Sequence, residues 1–272
     1  MVISNIINNT YNSLNPSNTE SINRLLIILY VQFVTWFQYY QVIRQKMGYS
    51  TEEDQKAAYL LSNLIKRKFL DPKVLDKKIK GKRILIIGAG PNLDLYTSFI
   101  KKNKSYIKIV ADGAVKFLIE NNIKPDIVVT DLDGDLRFLI KAEKLGAIIV
   151  IHAHSDNISL MEKYVPKFRR IIGTTQVMPV PHVFNYGGFT DGDRCVFLAE
   201  EFGAKDIVLV GMLFDDNIGP YSKEKINNVK VKREKLQIAK KLLQVLAKNS
   251  KSNLFDTSKK PIIGFKPFKI TL

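Results

Sequence analysis

The sequence predicts an α/β protein: a doubly wound, mostly parallel sheet with helices on both faces, preceded by an N-terminal helical region. Three observations carry this. From Lys82 onward, short apolar runs alternate with amphipathic segments. Those runs are almost continuous in Ile and Val instead of alternating with polar residues, which marks strands buried on both faces. Before Lys80 the chain reads as helical material, with apolar residues at helical spacing in its second helix. The expected division is therefore residues 1–80 as the helical region and residues 81–272 as the α/β domain.

The elements follow in order. Residues 1–20 are rich in Asn and Ser and are expected to be poorly ordered. A helix is expected from Ser21 to Met47, stopped by Gly48, since glycine takes the left-handed C-terminal cap without strain. Ser50-Thr51-Glu52-Glu53-Asp54 is an N-cap signature. The helix it opens carries Ala57, Ala58, Leu60, Leu61, Leu64 and Ile65 and is ended by Asp71-Pro72. Strands are expected at Arg83–Ile87, Tyr106–Ala111, Asp126–Thr130, Ala147–His152, Arg169–Gly173 and Asp206–Gly211, with helices at Leu93–Lys101 and Ala114–Asn121 among the segments between them. The region from Lys223 to Leu272 reads as a Lys-rich helix and a short tail with structural roles.

Composition narrows the function. With 46 % apolar residues in a chain of 272, a substantial core can be buried, which excludes a disordered chain. No repeat period is present, so a solenoid is not expected. Lys and Arg number 42 against 26 Asp and Glu, a net charge of +16. The lysines are spread along the chain without interleaved Arg and aromatic residues. They read as a solvated surface that draws in anionic ligands, and no nucleic-acid partner is expected. A basic nucleic-acid-binding module remains the alternative of another class. Cys195 is the only cysteine, which excludes an internal disulfide and a cysteine-based zinc site and fits a reducing cytoplasm. The polar N-terminus does not resemble a leader. The apolar stretch Leu25–Phe37 is shorter than the roughly 20 residues of a membrane span and is interrupted by Gln32 and Thr35. A cytoplasmic protein with no membrane partner is expected, and a homo-oligomer is compatible with the sequence.

In parallel sheets ligands bind beyond the carboxyl ends of the strands. Those ends hold Gly88-Ala89-Gly90-Pro91-Asn92, Asp112-Gly113, Asp131-Leu132-Asp133-Gly134-Asp135, His152-Ala153-His154-Ser155-Asp156-Asn157, Thr174-Thr175-Gln176 and Asn185-Tyr186-Gly187-Gly188-Phe189-Thr190-Asp191-Gly192-Asp193-Arg194. Carboxylates dominate this rim in a strongly basic protein. Crowded carboxylates raise one another's pKa unless a cation compensates. An oxygen-rich set suits Mg²⁺, which binds carboxylates while keeping water and substrate phosphate as its other ligands. The three histidines, His152, His154 and His182, make a zinc site possible but not favoured, since transition metals prefer more imidazole or thiolate than this rim offers. The glycine loop starts like a dinucleotide fingerprint but has Leu93 where close packing calls for Gly or Ala. A nicotinamide-dependent oxidoreductase is thus a competing reading, while a loop that opens a helix can also hold phosphate through its N–H groups.

Taken jointly, Ala111-Asp112-Gly113-Ala114, Pro125-Asp126, Thr130-Asp131-Leu132-Asp133, the His152–Asn157 run, Gly173-Thr174-Thr175-Gln176 and Gly187–Arg194 resemble the archaeal-type 6-hydroxymethyl-7,8-dihydropterin pyrophosphokinases. That family is itself similar to thiamine pyrophosphokinases. The resemblance runs from about Trp36 to Val210 and leaves the first 30 residues outside as an extension. Ser155 stands where the family has glycine. Thr130 and Gly134 depart from the G-D-x-D-S run of the thiamine enzymes, which argues against thiamine, the alternative within the fold. The resemblance implies an enzyme that transfers pyrophosphate from ATP to the hydroxymethyl group of a reduced pterin, releasing AMP, with Mg²⁺ as cofactor. On that reading Asp131 and Asp133 hold the metal, aided by Asp112 and Asp193. These three, Asp112, Asp131 and Asp133, form the catalytic set, and Asp133 is the candidate proton acceptor. Gly88, Gly90, Asn92, His154, Asp156, Asn157, Thr175, Gln176, Thr190, Asp191 and Arg194 are expected to contact ATP or pterin, with Arg194 pairing with a phosphate.

Overall fold

The computed structural model describes residues 36–214 and 229–270. The chain divides into two compact units, Met1–Tyr49 and Ser50–Leu272. In the first, residues 36–47 are helical and Gly48 follows with φ +72°. The rest of the expected Ser21–Met47 helix and residues 1–20 lie outside the described residues.

The second unit opens with α1 (Thr51–Ile65), whose N-cap Ser50 accepts a hydrogen bond from the Glu53 amide. It stops at Ile65, short of Asp71, because the chain then runs along the sheet: Phe69 bridges Ile171, and the Leu70 amide donates to the Ile171 carbonyl at 2.7 Å. There follow α2 (Lys73–Ile79), β1 (Arg83–Ile87), a 3₁₀ turn (Leu93–Tyr96), α3 (Thr97–Lys102), β2 (Ile107–Ala111), α4 (Asp112–Glu120), β3 (Ile127–Thr130), α5 (Leu136–Lys144), β4 (Ile148–Ala153), a 3₁₀ turn (Ser155–Asn157), α6 (Ile158–Tyr164), β5 (Ile171–Thr175), β6 (Val183–Phe184), α7 (Asp191–Glu201), β7 (Asp206–Val210), α8 (Val229–Asn249), β8 (Asn253–Asp256) and β9 (Lys266–Pro267).

The nine strands form one sheet in the order β6-β5-β4-β3-β2-β1-β7-β8-β9, with every neighbouring pair parallel. The expected Ile/Val runs are its centre, and both sets of alternating side chains are buried. One set, with Ile86, Ile109, Val129, Val150 and Leu209, packs with Val196 and Leu198 of α7 and Leu243 of α8. The opposite face is covered in part by α1, whose Ile65 abuts Gly173 of β5. Each side chain buried from water on the two faces contributes roughly 1.5–3 kcal/mol, so continuous apolar runs are what this topology demands.

The strand order reverses between β1 and β7, at the glycine loop. A Cβ on Gly88 would lie 2.6 Å from Met212 Cγ, and one on Gly90 would lie 2.5 Å from the Gly211 carbonyl oxygen. The Gly90 amide donates to that same oxygen at 2.6 Å. Both glycines are therefore demanded by the approach of two backbones as β1 and β7 leave the sheet. Among the described residues, no helix is long and apolar enough to cross a membrane.

Candidate active site

β2 ends directly in α4, so Asp112 is both the residue after a strand and the first residue of a helix. Its buried Oδ2 accepts hydrogen bonds from Thr130 Oγ1 at 2.6 Å and the Gly134 amide at 3.1 Å. Thr130, the last residue of β3, accepts in turn from the Leu132 amide at 2.8 Å. That bond closes a tight turn in which Leu132 takes φ +67°, a conformation costly for a leucine. The turn carries Asp131 and Asp133 on either side of the buried Leu132. Asp135, the third acid of the run, is the N-cap of α5: it accepts from the Arg137 amide, and the Arg137 guanidinium holds its carboxyl below the usual range.

Asp112, Asp131, Asp133 and Asp191 each bring one carboxylate oxygen to within 4.8 Å of the others. Asp191 arrives from another part of the chain, as the first residue of α7. Burial, followed by the charges of Asp131 and Asp112, pushes the Asp191 carboxyl well above the ordinary carboxylate range. Its Oδ1 has no hydrogen-bond partner among the described residues and lies 3.9 Å from Arg194 Nη1. Asp193 takes a different position from the one expected. It accepts from the Phe189 amide at 2.7 Å and from the Thr190 amide and hydroxyl, forming a capping box with Thr190, and is not one of the four clustered acids.

The loop after β4 closes the other side. His154 Nδ1 accepts from the Asp156 amide at 3.3 Å, so its Nε2–H faces Asp131 Oδ2 at 3.6 Å. Asn157 donates to the carbonyls of Asp131 and His152 at 2.8 and 2.7 Å, tying this loop to the metal-candidate turn. The Asp156 carboxylate is largely exposed. His152 is buried beneath, with Nδ1 at 3.3 Å from Thr174 Oγ1, and burial together with the nearby Arg194 holds it neutral, well below the usual imidazole value. Thr175 ends β5 with its hydroxyl accepting from the Val177 amide. Gln176 donates to Asp54 at 2.7 Å and accepts from Arg194 at 3.2 Å. Gly88, Gly90 and Asn92 sit beside β7, where Asn92 donates to the Tyr96 hydroxyl and its Oδ1 is buried without a hydrogen-bond partner among the described residues.

The sequence puts Asp191 among the ATP or pterin contacts; the structure sets it beside Asp112, Asp131 and Asp133, and nothing in the T-D-G-D spacing distinguishes it from Asp193. Asp54, part of the N-cap signature in the sequence, lies outside the expected site set. Its periodicity was the available signal, because Asp54, Ala57, Ala58 and Leu61 share one buried face, where a carboxylate needs partners.

A parallel sheet that gathers four aspartates from two strand ends and a helix start defines an α/β protein with a candidate divalent-cation centre. The comparisons are more specific. The model of the family described as "6-hydroxymethylpterin diphosphokinase MptE-like" matches residues 60–218. A 6-hydroxymethyl-7,8-dihydropterin pyrophosphokinase of Pyrococcus furiosus is 40 % identical over 82 % of this chain and 97 % of its own. Enzymes of the same name from Methanocaldococcus jannaschii and Methanothermobacter thermautotrophicus are 40 % and 37 % identical over 78 % and 79 % of this chain, and 94 % of each relative. The chain belongs to this MptE-like family. A solved structure of the MAf glycosyltransferase of Magnetospirillum magneticum shares the fold, with TM-score 0.50 and 16 % identity over 81 % of this chain; the match spans 38 % of that protein's length.

Proposed function

We propose that this chain transfers the pyrophosphoryl group of ATP to the hydroxymethyl group of 6-hydroxymethyl-7,8-dihydropterin, releasing AMP, with Mg²⁺ held by Asp112, Asp131, Asp133 and Asp191. The product belongs to the assembly of folate- or methanopterin-type one-carbon carriers, and the enzyme works in the cytoplasm, where the buried thiol of Cys195 is no liability. The observation that carries the reading is the convergence of four carboxylate oxygens within 4.8 Å. The donor set fits the ion: it is all oxygen, and burial followed by the like charges of Asp131 and Asp112 raises Asp191, a strain that a bound divalent cation would relieve. When bound, the ion would neutralise phosphate charge and orient the reacting groups.

The chain's own groups supply the rest. Thr130 and the Gly134 amide fix Asp112, so it is preorganised and needs no rearrangement during reaction. Arg194, beside Asp191, presents planar donors to a phosphate. Asp133, the exposed member of the four, would take the hydroxyl proton as the alcohol oxygen attacks the β-phosphorus. The bond from that phosphorus to the oxygen bridging the α-phosphate breaks, and AMP leaves with the bridging oxygen. Gly134, where the thiamine enzymes' run has serine, is seated against Asp112: a Cβ here would lie 2.1 Å from Asp112 Oδ1.

The test is AMP release from ATP and Mg²⁺ with either the reduced pterin or thiamine as acceptor. Release with pterin alone is expected, and Asp131→Ala and Asp133→Ala should each lose at least ~3 kcal/mol of transition-state stabilisation, about 10²-fold in rate. Release with thiamine alone, or near-normal turnover in both variants, would overturn the assignment.

A further inference from the structure

We propose that Asp54 is a positioning residue for this reaction, acting through Gln176 to set the direction of the Arg194 guanidinium at the acidic cluster. This rests on the reading of the site given above. Asp54 lies in the first turn of α1 and is fully buried, among residues of the same helix that are apolar. One of its oxygens accepts from the Ser155 amide at 2.8 Å, and the other accepts from Gln176 Nε2 at 2.7 Å. Gln176 Oε1 then accepts from Arg194 Nη2 at 3.2 Å, while Arg194 Nη1 lies 3.9 Å from Asp191 Oδ1. A continuous polar path thus joins α1 to the metal-candidate centre.

The direction of this path is fixed by chemistry. A carboxylate only accepts and a guanidinium only donates, so the amide between them can satisfy both in just one orientation. Reversing the Gln176 amide would set its NH₂ against Arg194, donor to donor, and its oxygen against the Asp54 carboxylate. Asp54 therefore reinforces the one orientation in which the Gln176 oxygen meets the arginine. A buried carboxylate is costly for stability unless it is fully partnered, and an alanine like Ala57 or Ala58 would serve the packing of α1 alone. The same carboxylate also anchors Ser155, in the loop whose Asn157 is bonded to the Asp131 carbonyl. Asp54 thus governs two of the walls around the cluster.

The test exploits the polarity of the path. In Asp54→Asn, the new amide keeps its oxygen on the Ser155 amide and offers NH₂ to Gln176, which reverses and loses Arg194. The double variant Asp54→Asn with Gln176→Glu restores an acceptor to both neighbours and leaves the net charge as in the parent. Asp54→Asn is expected to lower kcat by about 10- to 100-fold, the loss of a charge-assisted hydrogen bond, and the double variant to recover most of it. Binding of α,β-methylene-ATP with Mg²⁺, measured by calorimetry, is the second readout and needs no acceptor alcohol: it should weaken in Asp54→Asn and return in the double variant. Circular dichroism and melting on the same samples give the folded fraction. Parental kcat and binding in Asp54→Asn, losses that merely track the folded fraction, or a double variant no better than the single one would each overturn the proposal. If the parent binds the nucleotide but turns over no pterin, the functional reading fails and the relay is judged on binding alone.

Discussion

Replacing Gly134 with alanine tests whether the acidic centre depends on the exact seat of Asp112. A Cβ at Gly134 would lie 2.1 Å from Asp112 Oδ1, 2.6 Å from Cγ and 2.8 Å from Oδ2. Reaching the 3.4 Å at which ordinary contact begins requires the carboxylate or the turn to move by about 1.3 Å, since overlap at van der Waals range rises steeply. That movement breaks the bonds from Thr130 Oγ1 at 2.6 Å and the Gly134 amide at 3.1 Å. A misplacement of about 1 Å in a reacting constellation can cost roughly 10²-fold in rate, and overpacking costs about 1–3 kcal/mol in stability. The assay is AMP formation at saturating ATP, Mg²⁺ and pterin, with the melting temperature read on the same protein. Gly81→Ala is the matched control: Gly81 has φ +67° with nothing within 4 Å of its added Cβ, so it should lose stability through backbone strain and keep its turnover. A Gly134→Ala enzyme turning over within about threefold of the parent would refute the claim that Asp112 must sit where it does, because that claim rests on the ~10²-fold cost of displacement.

Three further outcomes are expected. Asp191→Asn should lose about 10²-fold in kcat with its melting temperature kept or raised, since a like charge is removed from the cluster; Asp193→Ala should instead lose roughly 1–2 kcal/mol in denaturant unfolding as the α7 cap disappears. Parallel behaviour of the two would count against separating their roles. Chelation should abolish turnover and Mg²⁺ should restore it; saturating the ion at 100 times its Kd should stabilise the fold by about 2.7 kcal/mol, an increment that Asp112→Asn removes, and an equal increment in that variant would place the ion elsewhere. Finally, burial and the nearby Arg194 hold the folded-state pKa of His152 well below the ordinary imidazole value of about 6.5, so below that value the unfolded chain takes up a proton that the folded one refuses. Stability should be flat above about pH 6.5 and fall below it, by at most about 1.36 kcal/mol per pH unit from this group, and urea unfolding of His152→Gln should show a shallower fall.

The centre of the fold was legible because a strand buried on both faces has to be apolar throughout. Arg83–Ile87 and the runs after it announce themselves in this way. The edges were not legible. β6 and β9 are two residues each, and β9 contains Pro267, which cannot donate to a ladder. β8, Asn253–Asp256, has polar ends and is held by pairing to β7. α1 was placed, but its end was not, because Phe69 and Leu70 are claimed by β5 through contacts far apart in the chain. At the centre, the pairing of Asp131 and Asp133 was suggested by their strand-end spacing. Their geometric basis, a leucine held at φ +67° by the Thr130 hydroxyl, has no local sequence signature. At the two glycines before α7, a Cβ on Gly188 would lie 2.7 Å from Arg194 Cα and one on Gly187 would lie 2.7 Å from the Phe197 ring. They make room for α7 itself.

The role of Asp191 follows from topology. β6 is the edge of the sheet, and the next strand, β7, lies on the far side of β1. The connection must cross β5, β4, β3, β2 and β1, and α7 makes that crossing packed on β1, β2 and β3. Strands in this sheet are parallel, so a helix leading to the start of β7 begins near the carboxyl ends of the strands it passes. Those ends are where Asp112 follows β2 and Asp131 follows β3. The first residue of α7 is therefore carried to the two carboxylates by the same reversal of strand order that brings Gly88 and Gly90 against Gly211. Asp193, two residues further along a helix, faces a different direction and turns back to cap the amides of Phe189 and Thr190. With α7 placed by its buried Val196 and Leu198, Asp191 and Arg194 reach the cluster from one rigid element. That is the preorganisation a site needs if charge is to be stabilised without rearrangement.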